Sequence, residues 1–140
     1  MLTRLQSLFT LSGSKARHIA AGNAAETQAR LFLHSKGFDT VASNVSSRFG
    51  ELDIVMSKDN ELVFVEVRYR RSAKHLSAAQ SVHIHKQRKL INAARYFLQK
   101  HPEFKQHNCR FDVITIESGQ SHLQWHPCAF SLDDQRDYDF

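Results

Sequence analysis

Gly50-Glu51-Leu52-Asp53-Ile54-Val55-Met56-Ser57, then Lys58-Asp59-Asn60, then Glu61-Leu62-Val63-Phe64-Val65-Glu66-Val67-Arg68-Tyr69 is the stretch that decides the fold. Both long runs are rich in β-branched and aromatic residues, which favour strands. The short polar link is hairpin chemistry, because Asp and Asn tolerate positive φ. Centring the turn between Asp59 and Asn60 sets Asp53 opposite Glu66 and Glu51 opposite Arg68; a two-residue and a four-residue loop share that centre, whereas a three-residue loop does not. Side chains alternate along strands. Leu52, Ile54, Met56, Val63, Val65 and Val67 therefore make one apolar face. Glu51, Asp53, Val55, Phe64, Glu66 and Arg68 make the other.

Two carboxylates placed directly across a hairpin have Cβ atoms about 4.5–5.5 Å apart, and like charges there destabilise the pair. A divalent cation is one compensation, since Mg²⁺ is held by one or two carboxylates plus substrate phosphates. The other is a basic neighbour, and Arg68 shares the face with Glu66. From spacing alone, a metal site and a salt-bridge ladder of Glu51, Arg68 and Glu66 both stand. Val55 and Phe64 on the same face weigh against the ladder, because an idle charge beside apolar groups is costly.

Charge extends the argument outward. The 140-residue chain carries 19 Lys and Arg against 14 Asp and Glu, a formal charge of +5. Between Glu66 and Glu103 there is no acid, yet the interval holds Arg68, Arg70, Arg71, Lys74, Lys86, Arg88, Lys89, Arg95 and Lys100. The last eight residues instead carry Asp133, Asp134, Asp137 and Asp139. Ordinary surfaces intersperse both signs, so the basic run suits a phosphate-bearing partner. With 41% hydrophobic residues the chain can build a core. No apolar run approaches the ~20 residues that span a bilayer, so no membrane partner is expected. Cys109 and Cys128 make neither a disulfide framework nor a zinc cluster, which suits a cytoplasmic protein.

The remaining elements follow from periodicity. Ala25, Ala29, Phe32 and Leu33 predict a helix from about Asn23 to Lys36, with Gly37 as its cap. Phe38 to Ala42 reads as a short strand and Ser43 to Gly50 as a polar loop. Arg70 to Gln80 reads as a second loop. Leu90, Ile91, Ala94, Phe97 and Leu98 predict a helix from about Val82 to Lys100, with Ser81 as its N-cap. Cys109 to Glu117 and His122 to Trp125 are further strands. The order is α-β-β-β-α-β-β, an α/β (α+β) domain with helices on a mixed sheet. Residues 1–17 read as a flexible arm without the features of a signal peptide, residues 18–130 as one domain, and residues 131–140 as an acidic tail.

Gly50-Glu51-Leu52-Asp53 followed by Phe64-Val65-Glu66-Val67-Arg68 resembles the PD-(D/E)xK core of restriction-endonuclease-like nucleases. More closely, Gly22 to Asp112 resembles the YraN-type endonuclease-like family, related to archaeal Holliday-junction resolvases. Gly22 with Ala25-Glu26, Asn44, the Gly-Glu-x-Asp strand, the Phe-Val-Glu-Val strand, Lys86 and Arg110-Phe111-Asp112-Val113 carry that likeness, in unbroken order over roughly two-thirds of the chain.

The resemblance implies a restriction-endonuclease-like sheet and metal-dependent cleavage of DNA phosphodiesters, selective for structure rather than sequence. It implies Asp53 and Glu66 as ligands of Mg²⁺ or Mn²⁺, the Val67 carbonyl as a third, and Glu26 as an additional acid. Asn23-x-x-Glu26 also reads as a capping box, although Glu26 is on the helix side of Ala29 and Leu33. Where the signature has Lys this chain has Arg68, which stays charged and cannot act as a base but can stabilise phosphate charge. Lys86 is the natural second cation. Arg70, Arg71, Lys74, Arg88 and Lys89 would supply phosphate contacts, and resolvases of this fold act as homodimers. The reading from a different class is a nucleic-acid-binding module without activity, its acids serving only as ion pairs.

Overall fold

In a computed structural model of the chain, residues 22–70, 82–117 and 123–132 are described. Helix α1 (residues 22–35) buries Ala25, Ala29 and Leu33 along one side. Gly37 ends it at φ 91°, and the Phe38 N–H donates to the Leu33 carbonyl, the closure that a left-handed residue permits after a helix. Strands β1 (Asp39–Ser47), β2 (Gly50–Lys58) and β3 (Glu61–Arg70) then form an antiparallel meander. Helix α2 (Ile84–Lys100) and a 3₁₀ turn at Pro102–Phe104 carry the chain to β4 (Asn108–Glu117), which pairs parallel with β3. Strand β5 (Leu123–Phe130) closes the sheet, ordered β1-β2-β3-β4-β5.

The hairpin has the expected register: Ile54 faces Val65, Val55 faces Phe64 and Lys58 faces Glu61. Asp59 takes φ 53° in the two-residue turn. Apolar clusters lie on both faces of the sheet. Ile54, Met56, Val63, Val65, Ile114 and Ile116 meet α1 through Ala25, Ala29 and Leu33. Val55, Leu62, Phe64, Phe111 and Val113 meet α2 through Leu90, Ile91, Ala94 and Phe97. One helix thus covers each face, the flanked mixed sheet expected from the element order.

Several expectations are corrected. Residues 43–47, read as loop, continue β1, and only Arg48 and Phe49 turn. Their polarity belongs to an edge strand, which can leave one side in water. Helix α2 starts at Ile84 and is capped by His83, whose Nδ1 accepts from the His85 N–H, 3.3 Å; Ser81 lies outside the described residues. Strand β5 runs to Phe130 with Pro127 inside it, tolerated because β5 is an edge. Leu52 packs with Val55 on the α2 side rather than with Ile54, because strict alternation lapses where the β2–β3 ladder ends. The expected N-terminal arm, most of the 70–80 loop and the acidic positions of the tail also lie outside the described residues.

Candidate functional site

Paired residues of β2 and β3 run only from Lys58–Glu61 to Ile54–Val65. Beyond that point the strands open, and a side chain takes over from the backbone: Asp53 Oδ2 accepts from the Val67 N–H at 3.0 Å. The half-buried Asp53 therefore bridges the two strands at the mouth of the opening.

Glu66 sits directly inside this mouth and is 4% exposed. Burial, and then the negative charge of Asp53, push its carboxyl up to about 7, while the nearby Lys86 ammonium pulls the other way. Lys86, from the first turn of α2, donates to Glu66 Oε1. Arg68 approaches the same oxygen at 3.8 Å. The first turn of α2 contains no acid, so its positive end also favours an anion here.

Glu26 reaches the site from α1. Residue 22 is already helical, so Asn23 is no N-cap and the capping-box reading fails. The Glu26 carboxylate instead accepts from the Asn44 side chain. Its pKa is raised by burial first, then by Asp53, with Glu51 adding to the effect. Asn44 holds φ 51° on β1, between the pairs Ser43–Ile54 and Val45–Leu52. The carboxylates of three elements thus act on one another, with Asp53 as their common neighbour. The exposed Glu51 faces Ser46 on β1.

Asp53 and Glu66 are the donors that fit a hard cation: two carboxylates with water and phosphate oxygens completing the shell. Burial and then the repulsion from Asp53 raise Glu66, and that charge penalty is what such an ion would relieve. Among the described residues no group of three or more His, Cys, Asp or Glu side chains stands at metal-holding spacing. Of the other expected residues, Arg88 and Lys89 are exposed on α2. Arg71 and Lys74 lie outside the described residues, and Arg70 closes β3.

Sequence reasoning overlooked the work of Asp112. It is fully buried, and its carboxylate accepts from Arg110 Nε at 3.0 Å, Trp125 Nε1 at 2.9 Å and the Cys128 N–H at 3.0 Å. Arg110 also reaches Glu61 at 2.8 Å. The β4–β5 register shifts between Phe111 and Val113, where Cys128 takes φ 52°. Asp112 therefore fills a break in the ladder. Its signal was available: an Asp inside an apolar strand must find hydrogen-bond donors.

Residues 25–116 match the uncharacterised protein family UPF0102. A UPF0102 protein of Xylella fastidiosa (strain M12) is 50% identical over 113 residues, 81% of this chain and 93% of that protein. One from Burkholderia lata is 49% identical over 120 residues, covering 85% and 82% of the two chains. Another from Saccharophagus degradans is 41% identical over 119 residues, covering 85% and 99%.

Proposed function

We propose that this chain, which belongs to the UPF0102 family, is a metal-dependent endonuclease or resolvase acting on the phosphodiesters of DNA. The observation that carries this reading is the opening between β2 and β3, where Asp53 and buried Glu66 meet beside two cations. A carboxylate buried beside a second one destabilises a fold, and a site that needs negative charge is a reason to keep the two. Kinship with the PD-(D/E)xK nucleases belongs to this proposal and supports it through the same residues.

Asp53 and Glu66 would hold Mg²⁺ or Mn²⁺, with the Val67 carbonyl as a further oxygen. When bound, such an ion lowers the pKa of a coordinated water and polarises the phosphate. The chain's own residues do the rest. The Val67 N–H fixes Asp53. Asn44 holds Glu26 beside it. Arg68 stays charged and stabilises the phosphate oxygens, so it orients and neutralises rather than taking a proton. Lys86, paired with Glu66, turns to the phosphate once Glu66 has another partner.

That same Lys86–Glu66 pair favours the second reading, a DNA-binding module whose acids serve only as ion-pair partners. Cleavage separates the two. Labelled flap, four-way-junction and linear DNAs are incubated with Mg²⁺, Mn²⁺ or EDTA. The nuclease reading expects metal-dependent product from wild type and a loss of at least about 100-fold in Asp53→Asn and Glu66→Gln. Absence of metal-dependent product, with DNA affinity unchanged in both variants, sinks it.

A further inference from the structure

A row of cations and rings runs away from the acid site along α2. Successive helical residues turn by about 100°, so Lys86, Lys89, Ala93, Tyr96 and Lys100 fall within an arc of about 80°. Lys86 touches Glu66. Lys89 Cβ lies 3.8 Å from where a side chain at Gly50 would begin, so the stripe borders the start of β2. Ala93 is buried, which makes room for the neighbouring turn to lean on the helix. Phe49, from that turn, packs its ring 5.7 Å from Tyr96.

Each ring carries a cation. The Arg48 guanidinium lies 4.8 Å above Phe49, and the Lys100 ammonium 5.0 Å above Tyr96. Such contacts hold a long side chain in place while leaving its charged end in water. Both cations are exposed, and α2 contains no acid to neutralise them. Lys86 and Lys100 are separated by about 21 Å along the axis, at ~1.5 Å per residue.

We infer that Lys89, Arg48 and Lys100 form a fixed track that grips the phosphate backbone of duplex DNA to one side of the acid site. This rests on the proposed function, which it extends from the bond that is cut to the arm that is held. Two features favour a duplex. Two of its three cations stand on one helix and the third on the turn packed against it, an extended line matched to a stiff rod rather than to a coil. Phe49 and Tyr96 are packed on each other and each has a cation over one face, so they are less free for the base stacking on which single-strand binders rely. The track also revises the expected phosphate contacts: Lys89 stays, Arg48 and Lys100 join it, and Arg88 lies about 120° round the helix from the stripe's centre.

The test measures binding in EDTA, so that cleavage plays no part. Affinity for a 24-base-pair DNA, and for one of its strands alone, is followed from ~50 to ~200 mM salt. The triple variant Arg48→Gln/Lys89→Gln/Lys100→Gln is expected to bind duplex at least ~10-fold more weakly at ~0.1 M salt, with a salt slope reduced by about 2.7. Charge-conserving Arg48→Lys/Lys89→Arg/Lys100→Arg should bind as wild type, which separates charge from folding. Lys105→Gln, off the track, should also leave binding unchanged. Unaltered duplex affinity and slope in the triple Gln variant overturn the track, as does tighter binding of the single strand by wild type. Duplex binding that needs the track, in a protein that cuts nothing with Mg²⁺, leaves the track standing and removes the nuclease reading.

Discussion

Glu66 shows most clearly how a single residue carries both cost and use. Its folded-state pKa of about 7 lies above the ordinary 4.5, so the folded state holds the proton more tightly than the unfolded chain. Stability from this group is complete below pH 4.5 and is lost as pH rises through about 7. At ~1.4 kcal/mol per pKa unit the loss is at most about 3–4 kcal/mol. Glu66→Gln keeps the shape and removes the titration. Urea denaturation should show it more stable than wild type at pH 8, with a flatter profile between pH 4.5 and 7; identical profiles would contradict the burial argument. Cation binding requires the ionised carboxylate, so Mn²⁺ affinity should climb over the same interval. That Asp53 and Glu66 are neighbours was legible from the hairpin's centre, but their expected pairing across the ladder was not met: the paired residues end at Ile54 and Val65, and Asp53 accepts from the Val67 N–H instead. The link from Glu26 to Asn44 was not legible: it joins a helix to an edge strand, and no local pattern encodes that distance.

At the scale of elements, the site exists because a ladder stops. The hairpin itself reads directly from alternation, but the opening beyond Ile54 and Val65 does not. There the Asp53 carboxylate accepts the bond from Val67 and turns the end of a hairpin into a mouth. A second carboxylate does equivalent work at the other side of the sheet, where Asp112 receives Arg110, Trp125 and Cys128 across the β4–β5 irregularity. The Arg-Phe-Asp-Val run that helped to carry the family resemblance is thus a clasp, a role that needs partners from β5 to be seen. Asp112→Ala would leave one edge of the half-buried Arg110 guanidinium and two N–H groups without an acceptor. It should cost about 3–5 kcal/mol, seen as a lower urea midpoint at unchanged slope. A change below ~1 kcal/mol would mean that water replaces the carboxylate. The polar residues of β1 misled for a related reason: composition reports exposure, and an edge strand is exposed without being a loop.

For the whole molecule, two helices on opposite faces place unlike chemistry at one opening: Glu26 from α1, Lys86 from α2, and Asp53 and Glu66 from the sheet between. The net charge of +5 is a weak guide beside that arrangement, because what matters is that acid-free α2 starts at the carboxylates. Among the described helices none is long and apolar enough to cross a membrane. A cation that binds only the folded state should stabilise the molecule by mass action, about 2.7 kcal/mol at ~100 times its Kd. The central claim is that Asp53 and Glu66 together form a divalent-cation site. Calorimetric titration of Mn²⁺ at pH 8 into wild type, Asp53→Asn and Glu66→Gln tests it most directly. The expected result is saturable binding by wild type, weakened at least ~10-fold in each variant; no binding by wild type, or equal binding by all three proteins, would contradict it.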